Sequence, residues 1–116
     1  ASLIFDAPGV KTKLIQLAQR GRAVGIHVII ATQRPEVRVI DGLIRAQFPA
    51  RVAFSVASAR DSMIILDVGG AQKLLVQGDM LFRDVSDLRP ARVQGVYVHD
   101  DEIAQITEYW RDHPRG

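Results

Sequence analysis

The chain has 116 residues, 47% hydrophobic and 24% charged, with a formal net charge of +2 and no cysteine. Such a length gives one domain or part of one, long enough to bury a core, and the missing cysteines exclude a disulfide scaffold and a thiolate zinc site. No apolar run approaches the roughly 20 residues that span a bilayer, and the basic, apolar, small-residue order of a signal peptide is absent, so the expectation is a soluble segment.

The charge is unevenly spread. Between residues 20 and 60 stand Arg20, Arg22, Arg34, Arg38, Arg45, Arg51 and Arg60 against Glu36 and Asp41, a local excess of five positive charges. Residues 61–116 carry ten acids against six bases. All seven bases of the positive stretch are arginine, whose planar guanidinium suits bidentate contact with phosphate. The composition alone, twelve arginines and three lysines overall, leaves a simple compositional bias open as the other reading.

Val10, Leu14, Leu17, Ala18 and Val24 recur at helical spacing and predict a helix from about Val10 to Ala23, ending near Gly25. Ile26 to Ala31 reads as a strand buried on both faces, and Pro35 ends that element because it has no N–H to donate. Val39, Ile40, Leu43 and Ile44 form the apolar face of a short helix that carries Arg45 on another side and closes at Pro49. Arg51 to Val56 predicts a second strand. Ser58 to Leu66 predicts a helix capped by Ser58, with Asp61 at its third position. Gly69-Gly70 breaks the chain before a helical turn over Ala71 to Leu75; Gly78-Asp79 marks a turn, and Met80 to Phe82 begins a third strand. After a polar connection with Pro90, the alternation over Arg92 to Val98 predicts a hairpin. The last helix starts with Asp100 as cap and Asp101 and Glu102 complementing the helix dipole, and its apolar face is Ile103, Ile106 and Trp110, joined by Tyr109. The order of helices and strands predicts an α/β fold with a mainly parallel sheet and an antiparallel edge hairpin.

The sharpest chemical feature is where the apolar run stops, at Thr32-Gln33-Arg34-Pro35. Ligands of open parallel sheets bind outside the carboxyl ends of the strands, and a Gln delivered there can orient a water against a terminal phosphate. The plainer reading is a core strand followed by a Pro-terminated loop. Gly9-Val10-Lys11-Thr12 resembles the tail of a phosphate-binding P-loop, but Val intrudes between Gly and Lys and the upstream Gly is missing, so the motif is rejected. No acid ends an apolar strand as a magnesium-holding Walker B Asp does. His27, His99 and His113 have no ligand spacing, and His27 reads as a hydrogen-bonded core histidine. Capping accounts for Asp100, Asp101 and Glu102, and no Ser-His-Asp arrangement has local support.

The runs from Leu17 to His27 and from Ala31 to Pro35 resemble the motor domain of FtsK/SpoIIIE-type DNA translocases. So do Asp41 to Ala46, Arg51 to Phe54, Gly70-Ala71 with Leu74-Leu75, Gly78 to Leu81, Pro90, Arg92-Val93, Gly95, and Asp100 to Ile103. The resemblance spans about residues 14–112. It implies that residues 1–116 are the C-terminal portion of a RecA-like, P-loop NTPase motor core whose Walker A and Walker B segments are not in this chain, residues 1–10 lying just after the Walker B strand. It further implies a homo-hexameric ring that hydrolyses ATP with Mg at subunit interfaces and pulls double-stranded DNA through a central channel, in chromosome partition and cell division. Carried over residue by residue, Gln33 is the sensor, Thr32 stands beside it, and Arg22 is the arginine finger that reaches the neighbouring subunit. Arg34 and Arg45 match basic channel positions that contact the DNA backbone without reading sequence. The family's usual Lys is Ala59 here, with Arg60 the adjacent base, and another common Arg is Met63. Arg60 is accordingly the third expected DNA contact. The isolated chain is expected to have no ATPase activity, and the motor segment to be cytoplasmic, tethered to the inner membrane through an N-terminal region outside this chain. Two alternatives stay open: a related ATPase that pumps a protein or conjugative substrate, and a non-catalytic assembly module if the chain is complete.

Overall fold

The computed structural model describes residues 9–37 and 39–113; the expectation for residues 1–8 and the base Arg38 lie outside the described residues. Helix α1, Val10–Gly21, begins after Gly9. A 3₁₀ turn over Arg22–Val24 follows, and Gly25 at φ 73° ends it in the left-handed conformation that glycine adopts without a Cβ penalty. The Ile26 N–H then donates to the Gly21 carbonyl at 2.9 Å, which turns the chain back along the helix end. The predicted helix and its Gly stop are both present.

Helix α2, Gly42–Gln47, starts three residues later than the apolar pattern suggested. Asp41 sets the start: its carboxylate accepts from the Leu43 and Ile44 N–H groups, both at 3.1 Å, as an N-cap does. The other Asp41 oxygen accepts from Lys11, which ties α2 to α1. Val39 and Ile40 sit in the preceding turn, where both N–H groups donate to the Glu36 carbonyl.

The main packed unit comes from the second half. Strands β1 (Arg51–Phe54), β2 (Asp79–Arg83) and β3 (Ala91–Gln94) form a sheet in the order β1-β2-β3. Ala53 lies opposite Leu81, and Leu81 opposite Arg92. Helix α3, Ala59–Leu66, is capped by Ser58, whose hydroxyl accepts from the Asp61 N–H at 3.1 Å, as predicted. It packs on β1 and, with a 3₁₀ turn over Ala71–Lys73, encloses a core of Ala53, Leu66, Ala71 and Leu74. Buried Ser62 makes that closure possible: its hydroxyl donates to the Val68 carbonyl at 2.8 Å and accepts from the Ala71 N–H at 3.1 Å. One side chain thereby satisfies two backbone groups, of which the Ala71 N–H is buried.

The sheet is antiparallel in both ladders. The expected antiparallel edge is present, whereas no parallel pair occurs among the described residues. Helix α3 and the 3₁₀ turn bring the chain back to run against β1, where the alternation of elements had suggested a parallel crossover. The segment from Ile26 to Ala31 corrects the prediction of a buried strand: it makes no ladder, and Ile29 is 92% exposed. A continuous apolar run signals burial on both faces but says nothing of where the covering elements are, and the three described strands pair only with each other. His27 is exposed as well, not a core histidine.

Two smaller corrections follow at the C-terminal end. Of the hairpin expected over Arg92 to Val98, only the part up to Gln94 is paired, and its partner is β2. The Gly95 N–H donates to the Gly78 carbonyl at 2.7 Å, and the chain then leaves the sheet. Helix α4, Asp100–Asp112, is capped by His99 instead of Asp100, the Glu102 carboxylate accepting from the His99 N–H at 2.8 Å. Asp100, Asp101 and Glu102 occupy its first turn, and its apolar residues Ile103, Ile106, Tyr109 and Trp110 are about half exposed. Among the described residues no helix is long and apolar enough to cross a membrane.

Candidate functional site

The run Ala31, Thr32, Gln33 and Arg34 lines an open concavity of about 500 Å³. Thr32 shapes it: its Oγ1 accepts from the Arg34 N–H and donates to the Arg34 carbonyl, both at 3.1 Å, closing a tight turn of the kind hydroxyl side chains favour. With that turn locked, the Gln33 and Arg34 side chains project from it exposed, and neither makes a hydrogen bond or ion pair among the described residues. Thr32 therefore fixes the backbone of this turn, and the Gln33 and Arg34 side chains are left unpaired among the described residues.

Arg22 stands on the 3₁₀ turn after α1, exposed and likewise unpaired among the described residues. Arg60 lies exposed and unpaired in the first turn of α3. Arg45 differs. From the last turn of α2 its Nη1 donates to Asp67 Oδ1 at 2.8 Å, so it is held, not free.

Asp67 and Asp79 organise the charges of the molecule, and the sequence reading missed both of them as centres. Asp67 Oδ2 accepts from Arg51 Nη1 and from Arg83 Nη1, each at 2.6 Å. Arg51 also reaches the carbonyls of Phe48, Ile65 and Arg45, and Arg83 that of Leu66. Helix α2 and strands β1 and β2 are thus clasped at the end of α3. Partial burial pushes the Asp67 carboxyl up, but hydrogen bonds from Arg51 and Arg83 and the charges of Arg51 and Arg45 outweigh it and leave its pKa lowered. Asp79, 4% exposed, receives Arg92 through two bonds of 2.9 and 2.7 Å and the Leu75 N–H at 2.7 Å. The Arg92 bonds lower its pKa first, the Leu75 N–H second. Asp41 is lowered chiefly by the hydrogen bond from Lys11. The only local signals were a helix end before Gly69-Gly70 and a turn at Gly78-Asp79; the arginine partners lie 13 to 22 residues away in sequence.

Because these three carboxyls titrate below their ordinary value in the fold, their contribution is present above about pH 4 and is lost as pH falls through the lowered native values. Thermal unfolding is expected to be level from neutral pH to about pH 5 and to drop steeply below about pH 4. The variant Asp79→Asn should be less stable at pH 7 and show a smaller further loss in acid. An equal acid loss in both proteins contradicts this assignment.

In the stretch Gly9-Val10-Lys11-Thr12, Lys11 is engaged by Asp41, and Gly9 serves to start α1. No group of three or more metal-ligating side chains occurs among the described residues.

No family model matches the chain. Its fold is similar to part of a solved conjugation coupling protein: the structure of TcpA from pCW3, in monomer form with ATPγS, superposes with a TM-score of 0.70 at 31% identity, over 85% of this chain and 28% of that one. In sequence, the chain is 55% identical over 100 residues to the DNA translocase FtsK of Oceanobacillus iheyensis and 53% identical over 107 residues to the DNA translocase SpoIIIE of Bacillus subtilis. These matches cover 86% and 92% of the chain, and the chain spans 13% and 14% of the length of those relatives. The chain therefore corresponds to a fragment of the motor domain of the FtsK/SpoIIIE DNA translocases.

Proposed function

We propose that residues 1–116 are the C-terminal portion of a RecA-like ATPase motor domain that drives double-stranded DNA through a homo-hexameric ring, with the mainly parallel sheet completed by segments outside the chain. The observation that carries this is the identity of more than half over most of the chain to FtsK and SpoIIIE. The side chains of Gln33, Arg22, Arg34 and Arg60, exposed and unpaired among the described residues, agree with it. In this reading ATP and Mg are held by the segments that carry the Walker motifs. Gln33 senses the terminal phosphate and orients the attacking water, and the Thr32 turn fixes where Gln33 stands. Arg22 extends to the nucleotide of the neighbouring subunit and neutralises charge that develops during phosphoryl transfer. Arg34, Arg45 and Arg60 contact DNA phosphates, which makes binding sequence-independent and salt-dependent. The segment works on the cytoplasmic side, tethered to the inner membrane by another region of the protein.

The test is the salt dependence of DNA binding by the full-length protein. Each of Arg34→Ala and Arg60→Ala is expected to weaken binding uniformly across sequences and to reduce the slope of log K against log salt by about 1, the share of a single phosphate. Affinity and slope unchanged in both variants contradict a DNA role. The likeness to a conjugation coupling protein favours a second reading, a pump for conjugative substrate, at lower identity. Turnover that a conjugative substrate stimulates and duplex DNA alone does not would select it.

A further inference from the structure

The contact between Arg45 and Asp67 has a shape that a simple surface ion pair does not need. Arg45 offers five N–H donors, and Asp67 takes one of them, on Nη1; no other bond of the guanidinium is made among the described residues. Asp67 itself is anchored. Its Oδ2 holds Arg51 and Arg83, whose side chains are only 13% exposed and are fixed in turn by four backbone carbonyls. The Arg45 and Asp67 side chains are 35% and 39% exposed, so the pair stands at the surface end of an otherwise rigid network. Arg51 also binds the carbonyl of Arg45, which holds the backbone of that residue as well as its tip.

We infer that Asp67 is a positioning residue for DNA binding: it grips one donor of Arg45 and presents the remaining donors, already ordered, to a backbone phosphate. The inference rests on the reading of Arg45 as a DNA contact. Its physical content is entropic. A free arginine loses several rotatable bonds when it meets a phosphate, whereas one held at one edge by an anchored carboxylate has lost them beforehand. A planar guanidinium can bind a carboxylate and a phosphate at different edges at the same time. The same Asp67 bonds join α2 to β1 and β2, so a displacement of the sheet moves the Arg45 head with it.

The experiment is a double-mutant cycle on DNA affinity, with duplex DNA of fixed length and salt and the full-length protein. The removal of a negative charge near DNA raises affinity in any background, so the quantity read is the cost of Arg45→Ala with and without the Asp67 carboxylate. With Asp67 present, Arg45→Ala is expected to weaken binding about tenfold; in the Asp67→Asn background the same change should cost about threefold or less. Asp67 has φ 62° at the end of α3, a conformation that Asn and Gly adopt readily. Asp67→Gly therefore gives a second background that keeps the helix end. A cost of Arg45→Ala that is equal or larger in both backgrounds overturns the inference, since Asp67 would then be structural or would sequester Arg45. If Arg45→Ala has no effect while Arg34→Ala does, the positioning role fails and the motor reading stands. If no arginine change alters DNA binding, both fail.

Discussion

Arg22→Ala in the full-length protein is expected to lower DNA-stimulated ATP turnover by about three orders of magnitude, the usual worth of an arginine finger. The structure removes the main competing explanation in advance. Arg22 is exposed on a 3₁₀ turn and its side chain makes no hydrogen bond or ion pair among the described residues, so its loss has no ion-pair route to instability. Arg22→Lys should fail nearly as badly, because a point charge on a flexible stem does not reproduce the planar fork. Steady-state turnover with saturating duplex DNA, alongside thermal unfolding, checks both. Unchanged turnover in Arg22→Ala rules out the finger role.

Gly78→Ala is expected to destabilise the fold by about 3 kcal/mol or more, since a left-handed alanine costs about 1–2 kcal/mol and the backbone clash adds to it. Gly78 has φ +97°, and a Cβ there would lie 2.3 Å from the Gly95 carbonyl oxygen. The obstacle is backbone, and the same pair carries the 2.7 Å bond from the Gly95 N–H to the Gly78 carbonyl. No side-chain shift relieves it, so β2 and β3 must separate at that end. Chemical unfolding measures the loss. A change of under about 1 kcal/mol, the size of an ordinary surface substitution, contradicts the geometry.

Elements whose signals are local were legible in the sequence. Ser58 capped the predicted helix because an N-cap is a contact three residues long, and Gly25 stopped the first helix for an equally local reason. Apart from the starts of α2 and α4, which Asp41 and His99 cap in place of the predicted positions, what failed was non-local. The run from Ile26 to Ala31 has the composition of a buried strand, yet burial depends on covering elements that the run itself does not specify. The direction of β2 depends on where α3 returns the chain, which no periodicity states. The Asp67 and Asp79 networks were invisible because each joins partners from separate elements. Gln33 and Arg34 were legible as an abrupt polar exit, and the Thr32 turn that presents them adds the reason for their exposure.

In the proposed reading, adjacent residues of one locked turn divide the labour, Gln33 answering to nucleotide and Arg34 to DNA. The direct test measures two quantities, basal ATP turnover without DNA and DNA affinity without nucleotide, in full-length Gln33→Ala and Arg34→Ala proteins. Gln33→Ala should lose turnover by at least about a hundredfold while it retains DNA affinity. Arg34→Ala should retain basal turnover while its affinity and salt slope fall. If both variants lose both quantities together, or if neither loses either, the division does not exist and the turn is only a loop.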